Sequence, residues 1–327
     1  MSSITSSVDV TRAVRPAEDA DASGLSSSGG EGGRAGWLFA TPFLALYALF
    51  LVGPVLIGVV VSFFNTATVT PGLGDWVGLQ NYGDVLTDGD FWAAMWHSTL
   101  FTLLSTPLLV LLPLLFAMLA VRVSRGQWFF RLAFFAPFVV PSSIVVLIFG
   151  FMYTPETGLI TKAFTSLGLH APNFLGSTHG AWFAVVLLTL WWTFGFNFIL
   201  YLAGLQDIPE ELYEASQIDG ASPLQQMRWL TMPLVRPTIS LVLILQVLAS
   251  LKVFDQIYLL LQGGPAGATR PAIEYIFDTG FTTYRGGYGA AATMVYFVVL
   301  IAVAAAWAVF RPRSTPVETP ARTEEEL

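Results

Sequence analysis

The run Gln206-Asp-Ile-Pro209-Glu-Glu-Leu-Tyr-Glu-Ala-Ser-Gln-Ile-Asp-Gly220-Ala-Ser-Pro-Leu-Gln-Gln-Met-Arg-Trp-Leu-Thr-Met-Pro233-Leu-Val-Arg-Pro237 decides how the chain is read. Pro209 suits the first turn of a helix, where its missing N–H would have no partner anyway. Glu210 and Glu211 then sit at the positive end of that helix's dipole. Leu212, Ala215 and Ser216 share one face at spacings of three and four. Gly220 fits the left-handed stop of the helix. Ser222 caps a second helix, with Pro223 at its first position and Gln225 completing a capping box. Pro233 and Pro237 are expected to end it. The stretch therefore predicts two short helices meeting at a glycine, with more start and stop signals than a passive connection needs.

On both sides the chain is apolar. Of its 327 residues 54% are hydrophobic and 11% charged, against roughly 25% charged in soluble domains. Most of the chain thus has no water-facing side, and a polytopic membrane protein is the class expected. The absence of cysteine removes disulfides and thiol chemistry together. The net charge of −7 is uninformative, because the acidic excess sits largely in tails and loops.

Crossing a bilayer takes about 20 apolar residues, and six stretches qualify: Trp37–Phe64, Ser98–Val121, Leu132–Met152, Ala181–Leu205, Thr238–Leu261 and Gly289–Phe310. The fold expected is all-α, a six-helix membrane bundle with the two-helix loop on one side. Pro54, Pro107, Pro113, Pro137, Pro141 and Gly195 inside these stretches suit kinked, closely packed membrane helices. The positive-inside rule sets the orientation. With the N-terminus in the cytoplasm, Arg12, Arg15, Arg34, Arg122, Arg125, Arg131, Arg228, Arg236, Arg311, Arg313 and Arg322 lie inside. Only Lys162, Arg270 and Arg285 lie outside, and Lys252 falls within a span. Both termini, and the 206–237 loop, are therefore expected in the cytoplasm. Residues 1–35, rich in Ser, Gly, Ala and Asp, read as a disordered tail, 36–312 as the membrane domain and 313–327 as a second tail. No apolar stretch begins before Trp37, so no cleaved leader is expected.

The outer loops Asn65–His97, Tyr153–Gly180 and Gln262–Tyr288 carry Trp76, Trp92 and Trp96, and Trp182 lies close by. An aromatic belt anchoring helix ends explains these, as would a docking surface for an external protein. Polar side chains inside a span are costly and usually face a bundle interior or a water-filled cavity. Thr193, Asn197, Gln246, Ser250 and Asp255 are therefore candidates to touch a solute, and Trp191, Trp192, Phe194 and Phe196 could stack on it. Lys252 and Asp255, three residues apart, could instead neutralise each other or snorkel outward. No catalytic set is visible, so no enzyme is expected. The histidines His97, His170 and His179 read as surface residues and show no metal-ligand spacing. Without a glycine-rich loop ending in Gly-Lys-Ser/Thr, any ATP must be bound by a partner.

Glu214-Ala215-Ser216, Asp219-Gly220-Ala221 and Met232-Pro233 resemble the inner-loop signature of binding-protein-dependent ABC importer permeases. The glycine falls six residues after the glutamate and the proline thirteen after the glycine. Ser216 stands where alanine is commoner. Arg131–Pro141, Leu202–Pro209, Phe254–Tyr258 with Gly263-Gly264-Pro265, and Tyr288–Ala292 resemble the carbohydrate branch, which includes maltose and glycerol-3-phosphate transporters. The resemblance runs from about Trp37 to Arg311. It implies that Tyr213, Glu214, Ala215, Ser216, Asp219, Gly220, Ala221 and Pro233 belong to a coupling loop seated in an ATPase subunit. It also implies a bacterial or archaeal cell membrane and alternating access. The implied partners are a second permease, two ATP-binding cassette subunits, an external solute-binding protein, a carbohydrate and lipid, with no nucleic acid and no cofactor on this chain. A secondary transporter is the competing class, disfavoured because no internal repeat is visible.

Overall fold

The computed structural model describes residues 31–122, 126–170 and 173–310. In chain order it contains α1 (Glu31–Tyr47), α2 (Gly53–Val61), β1 (Phe64–Asn65), β2 (Asp75–Trp76), α3 (Gln80–Thr87), α4 (Gly89–Val121), α5 (Gln127–Val139), α6 (Ser142–Met152) and α7 (Leu159–Ser166). There follow α8 (Thr178–Gln206), α9 (Glu210–Ile218), α10 (Pro223–Gln226), α11 (Met232–Leu251), α12 (Asp255–Leu261), α13 (Ala272–Phe277) and α14 (Gly286–Phe310). Wider π turns occupy Ala48–Val52, Met227–Thr231 and Asp278–Thr282. The two strands make one short antiparallel pair; all other regular structure among the described residues is helical, as the apolar spans require.

The described residues divide into two compact units, the boundary falling between Ile57 and Gly58. Within the first, α1 begins at Glu31, inside the stretch read as a disordered tail. Residues 1–30 of the first expected tail and the whole of the second, 313–327, lie outside the described residues with Arg12, Arg15, Arg313 and Arg322, as do Arg125 and Arg311 of the expected membrane domain. The apolar side chains of this unit, among them Phe39, Phe43 and Phe50, are exposed, as lipid-facing or partner-facing residues are.

In the second unit α4, α8 and α11 pack around one core of Val110, Leu114, Phe198, Tyr201, Val235 and Val242. Small residues let the helices touch. A Cβ on Gly195 of α8 would lie 2.0 Å from the Phe134 carbonyl oxygen of α5. One on Gly204 would lie 2.4 Å from Thr238 Oγ1.

Among the described residues five helical stretches are long and apolar enough to cross a membrane, or six if α5 and α6 form one span. That proviso corrects the third expected span, which is broken: α5 and α6 meet at 94°. Pro141 disfavours the helical conformation for the residue before it, and Val140 is extended at φ −72°, ψ 131°. Two further boundaries move. α4 starts at Gly89, so Trp92, Trp96 and His97 are helical rather than in a loop. Asp88 caps it, its Oδ1 accepting from Asp90 N–H at 2.8 Å. Pro233 and Pro237 do not end the second loop helix, which runs through the π turn into α11. In that turn Met232 N–H bonds back to Met227, a wider ring that accommodates the following Pro233, whose ring would clash with a tight preceding turn.

Candidate functional site

The loop after α8 folds into an elbow by local chemistry. α9 ends in a full Schellman motif: Gly220 N–H donates to Gln217 C=O at 3.0 Å and Ala221 N–H to Ser216 C=O at 2.9 Å. Gly220 supplies the left-handed residue this needs, at φ 78°. The capping box is present, with Ser222 N–H donating to Gln225 Oε1 at 2.7 Å and Gln225 N–H to Ser222 Oγ at 3.4 Å. Pro209 is the N-cap of α9, one position earlier than its expected place in the first turn.

Side chains cross-link the two arms. Tyr213 Oη and Thr231 Oγ1 are 2.9 Å apart. Gln226 Nε2 donates to Ser216 Oγ at 2.8 Å, and Ser216 Oγ donates to the Tyr213 carbonyl at 2.8 Å. Ser216, the departure from the commoner alanine, is thus engaged. Gln226 and Thr231 escape a reading based on caps, because their partners lie on the other arm. Glu214, Ala215, Asp219 and Gly220 face outward. So do three large apolar side chains, Ile218 at 87%, Trp229 at 73% and Leu224 at 69% exposure. At the base of the elbow Arg131 Nη2 donates to Gln206 Oε1 at 2.8 Å, tying α5 to α8.

Further along the bundle, four of the five intramembrane polar candidates meet. Thr193, Asn197, Gln246 and Ser250 line a cavity of about 180 Å3 with Phe101, Phe138, Phe196 and Gln256. Asn197 Nδ2 donates to the Leu109 carbonyl and to Gln246 Oε1, both at 2.8 Å. Gln246 Nε2 donates to Ser250 Oγ at 2.9 Å, and Ser250 Oγ lies 3.0 Å from Ser105 Oγ. Asn197, Gln246 and Ser250 are buried. The chain of bonds ties α4, α8 and α11 together, and its α4 members, Leu109 and Ser105, are missing from the sequence reading. Both Nδ2 hydrogens of Asn197 are spent, whereas one N–H of Gln246 remains available.

Asp255 lies apart from this group. It is exposed and accepts from Ser142 Oγ at 3.0 Å, closing the break in α5–α6 onto α12. Arg270–Asp278, at 4.0 Å, is the ion pair found among the described residues, so Lys252 and Asp255 do not neutralise each other there. Of the aromatics, Phe196 reaches the cavity and stacks on Phe138 at 5.2 Å. Trp192 instead donates Nε1–H to the Val140 carbonyl at 3.0 Å, satisfying the bend. Trp191 packs on Phe149, and Phe194 sits in a cluster with Phe116, Phe134 and Phe198. Trp76, Trp92 and Trp96 are exposed while Trp182 is buried against Phe101, so Trp182 is core rather than belt. His170 and His179 are exposed; His97 is half-buried, its Nδ1 3.0 Å from the Arg270 carbonyl oxygen.

At the far end of α4, Asp88 Oδ2 accepts from Tyr275 Oη at 2.6 Å and Tyr288 Oη at 2.7 Å, joining α13 and α14 to the α4 cap. Burial pushes the Asp88 carboxyl up, but these hydrogen bonds with those from Asp90 and Phe91 N–H hold it below its ordinary value. Glu274 on α13 is buried, and its Oε2 has no partner. Burial first, then the Asp278 charge, against the pull of Arg270, raise its carboxyl to about 7.

Residues 89–315 match the family model described as binding-protein-dependent transport system inner membrane component. The chain is 33% identical over 271 residues to the sulfoquinovosyl glycerol transport system permease protein of Agrobacterium fabrum, covering 83% of this chain and 88% of the relative. It is 34% identical over 268 residues to the trehalose/maltose transport system permease protein of Thermococcus litoralis, covering 82% and 90%. A chain from the crystal structure of a bacterial ABC transporter importing the acidic polysaccharide alginate shares its fold, with a TM-score of 0.74, 24% identity and coverage of 86% and 98%. An apolar helical bundle, an elbow carrying the Glu214 and Gly220 signature, and a match over most of the length lead to one conclusion: this membrane protein belongs to the inner membrane components of binding-protein-dependent transport systems.

Proposed function

We propose that the chain is the permease subunit of an ATP-driven carbohydrate importer, supplying half of the translocation pathway. The observation that carries the reading is the elbow. Its two arms are cross-braced, yet Ile218, Leu224 and Trp229 stay uncovered. Large apolar side chains left exposed on a braced protrusion suit a protein partner better than water. On this reading an ATP-binding cassette subunit covers it, and Tyr213, Glu214, Ala215, Ser216, Asp219, Gly220, Ala221 and Pro233 form the coupling element. Arginines bias the elbow and both termini to the cytoplasm.

The carbohydrate class follows the relatives, whose names specify a sulfoquinovosyl glycerol and trehalose or maltose. The cavity suits hydroxylated rings. Thr193, Gln256 and the spare N–H of Gln246 offer hydrogen bonds, and Phe196 over Phe138 offers an apolar face. Asn197 and Ser250 hold that wall in place. At about 180 Å3, below the roughly 300 Å3 at which ligand pockets begin, the cavity forms one wall of the path, which the second permease widens. A second, unlike permease completes the pathway, two ATP-binding subunits drive it and an external binding protein delivers the solute. Asp255 remains a candidate at the far edge of the path, through the α6–α12 contact.

Reconstitution in vesicles with partner subunits tests this. Carbohydrate uptake should require ATP and the ATPase subunit and survive an ionophore. Uptake that collapses with the ionophore and persists without ATP would overturn it.

A further inference from the structure

The elbow contains a device beyond its docking face. Between α10 and α11 lies the π turn Met227–Thr231, a widened helical segment of the kind that marks functional joints. Left alone, such a joint would let α9 and α10 swing without moving α11. Two side-chain links bypass it. Tyr213 Oη of α9 reaches Thr231 Oγ1 at the end of the turn, 2.9 Å away. Gln226, just before the turn, reaches back to Ser216 Oγ at 2.8 Å and to the Tyr213 carbonyl at 3.5 Å.

The protons are consistent around this circuit. Tyr213 Oη donates to Thr231, and Thr231 Oγ1 donates to the Gln226 carbonyl at 3.4 Å. Gln226 Nε2 donates to Ser216, and Ser216 donates to the Tyr213 carbonyl. Thr231 is buried, and Tyr213, Ser216 and Gln226 are half-buried. Shielding from water strengthens such bonds.

We propose that Gln226 and Thr231 are positioning residues which, through Tyr213 and Ser216, clamp the elbow to the base of α11 across the π turn, so that a push on α9 moves α11 as one lever. α11 is helical from Met232 to Leu251 and carries Gln246 and Ser250. At about 1.5 Å per residue, Gln246 stands roughly 21 Å along it from Met232. The clamp therefore links the docking face to the cavity wall through one continuous helix, a contiguous chain of bonded and packed elements of the kind that carries coupling. This inference rests on the importer reading.

The test uses the reconstituted complex with its partner subunits and reads solute transported per ATP hydrolysed. Thr231→Val keeps the shape and loses the hydroxyl; Tyr213→Phe loses one oxygen. Each should lower the ratio by about fivefold, the factor corresponding to one net hydrogen bond. Thr231→Ser should restore it, and the Tyr213→Phe, Thr231→Val double variant should be no worse than either single. Co-purification of the ATPase subunit should stay at the wild-type level, which a merely structural role would not leave unmoved. If Thr231→Val fails to assemble, Tyr213→Phe decides alone. Wild-type ratios in Tyr213→Phe, additive losses, lack of rescue by serine, or failure of Tyr213→Phe to assemble would each overturn the clamp. A wild-type complex without ATP-dependent uptake fails the importer reading instead and takes the clamp with it.

Discussion

The elbow and the buried cluster at Asn197, Gln246 and Ser250 are both polar islands in an apolar chain, and they are built by opposite means. The elbow is made from neighbours: its Schellman bonds, capping box and left-handed glycine all join residues within five positions. It satisfies its backbone and leaves Ile218 and Trp229 bare. The cluster is made from strangers. Asn197 bonds the Leu109 carbonyl 88 residues away and Gln246 49 residues away, and little of it is left bare. A surface meant for a partner can be locally complete and still unfinished outward. A polar group within a bundle must be finished inward, because an unpaired one there costs several kcal/mol.

The largest effect that sharpens this contrast is expected at Asn197. Asn197→Ala strips two hydrogen bonds and leaves the Leu109 carbonyl and Gln246 Oε1 unpaired. Each orphan costs about 1–3 kcal/mol. The thermal midpoint of the purified complex should fall clearly; an unchanged midpoint with altered solute affinity would make Asn197 a binding residue instead.

At Gly220 the expected loss is smaller and of a different kind. No atom lies within 4 Å of an added Cβ, and φ is +78°. Gly220→Val should therefore cost about 1–2 kcal/mol through backbone strain alone. Loss of transport per ATP should follow, with the bundle's midpoint nearly unmoved. Gly220→Asn, whose side chain tolerates the left-handed region, should be close to wild type. Equal loss in both variants would point to sterics against a partner rather than to conformation.

A third case, read locally at one helix, is a carboxyl finished neither way. Glu274 is buried with Oε2 unpartnered, and its carboxyl is raised from the ordinary 4.5 to about 7. An acid raised on folding contributes stability that is present below about 4.5 and lost as pH climbs through about 7. Hydrogen-exchange protection of Ala272–Phe277 should decline over that window and become flat in Glu274→Gln. A flat wild-type profile would contradict the assignment.

How far the sequence could be read follows the same division. The caps of α9 and α10, the glycine corner and the apolar spans were legible because they depend on adjacent residues. So was the presence of polar groups in α8 and α11, from their rarity. What they bond to was not, since Leu109 and Ser105 are unremarkable residues of α4 that only packing brings near. The break at Val140–Pro141 had its proline in view, but a proline in a span usually kinks rather than turns the chain by 94°. Pro233 misled because the π turn ahead of it removes the clash that would have stopped the helix. Asp255 lies apart from the cavity because α11 ends at Leu251 and α12 starts afresh, a break that its residue type did not announce.

The account stands most directly on the bare face of the elbow being a docking site. The chain has no cysteine, so Ile218→Cys introduces its sole thiol at a side chain 87% exposed. In membranes holding the chain alone, a water-soluble maleimide should label that thiol quickly. Adding the ATP-binding subunit should slow the labelling by an order of magnitude or more. Labelling at the same rate with and without that subunit would contradict the assignment of the elbow as the place where force enters.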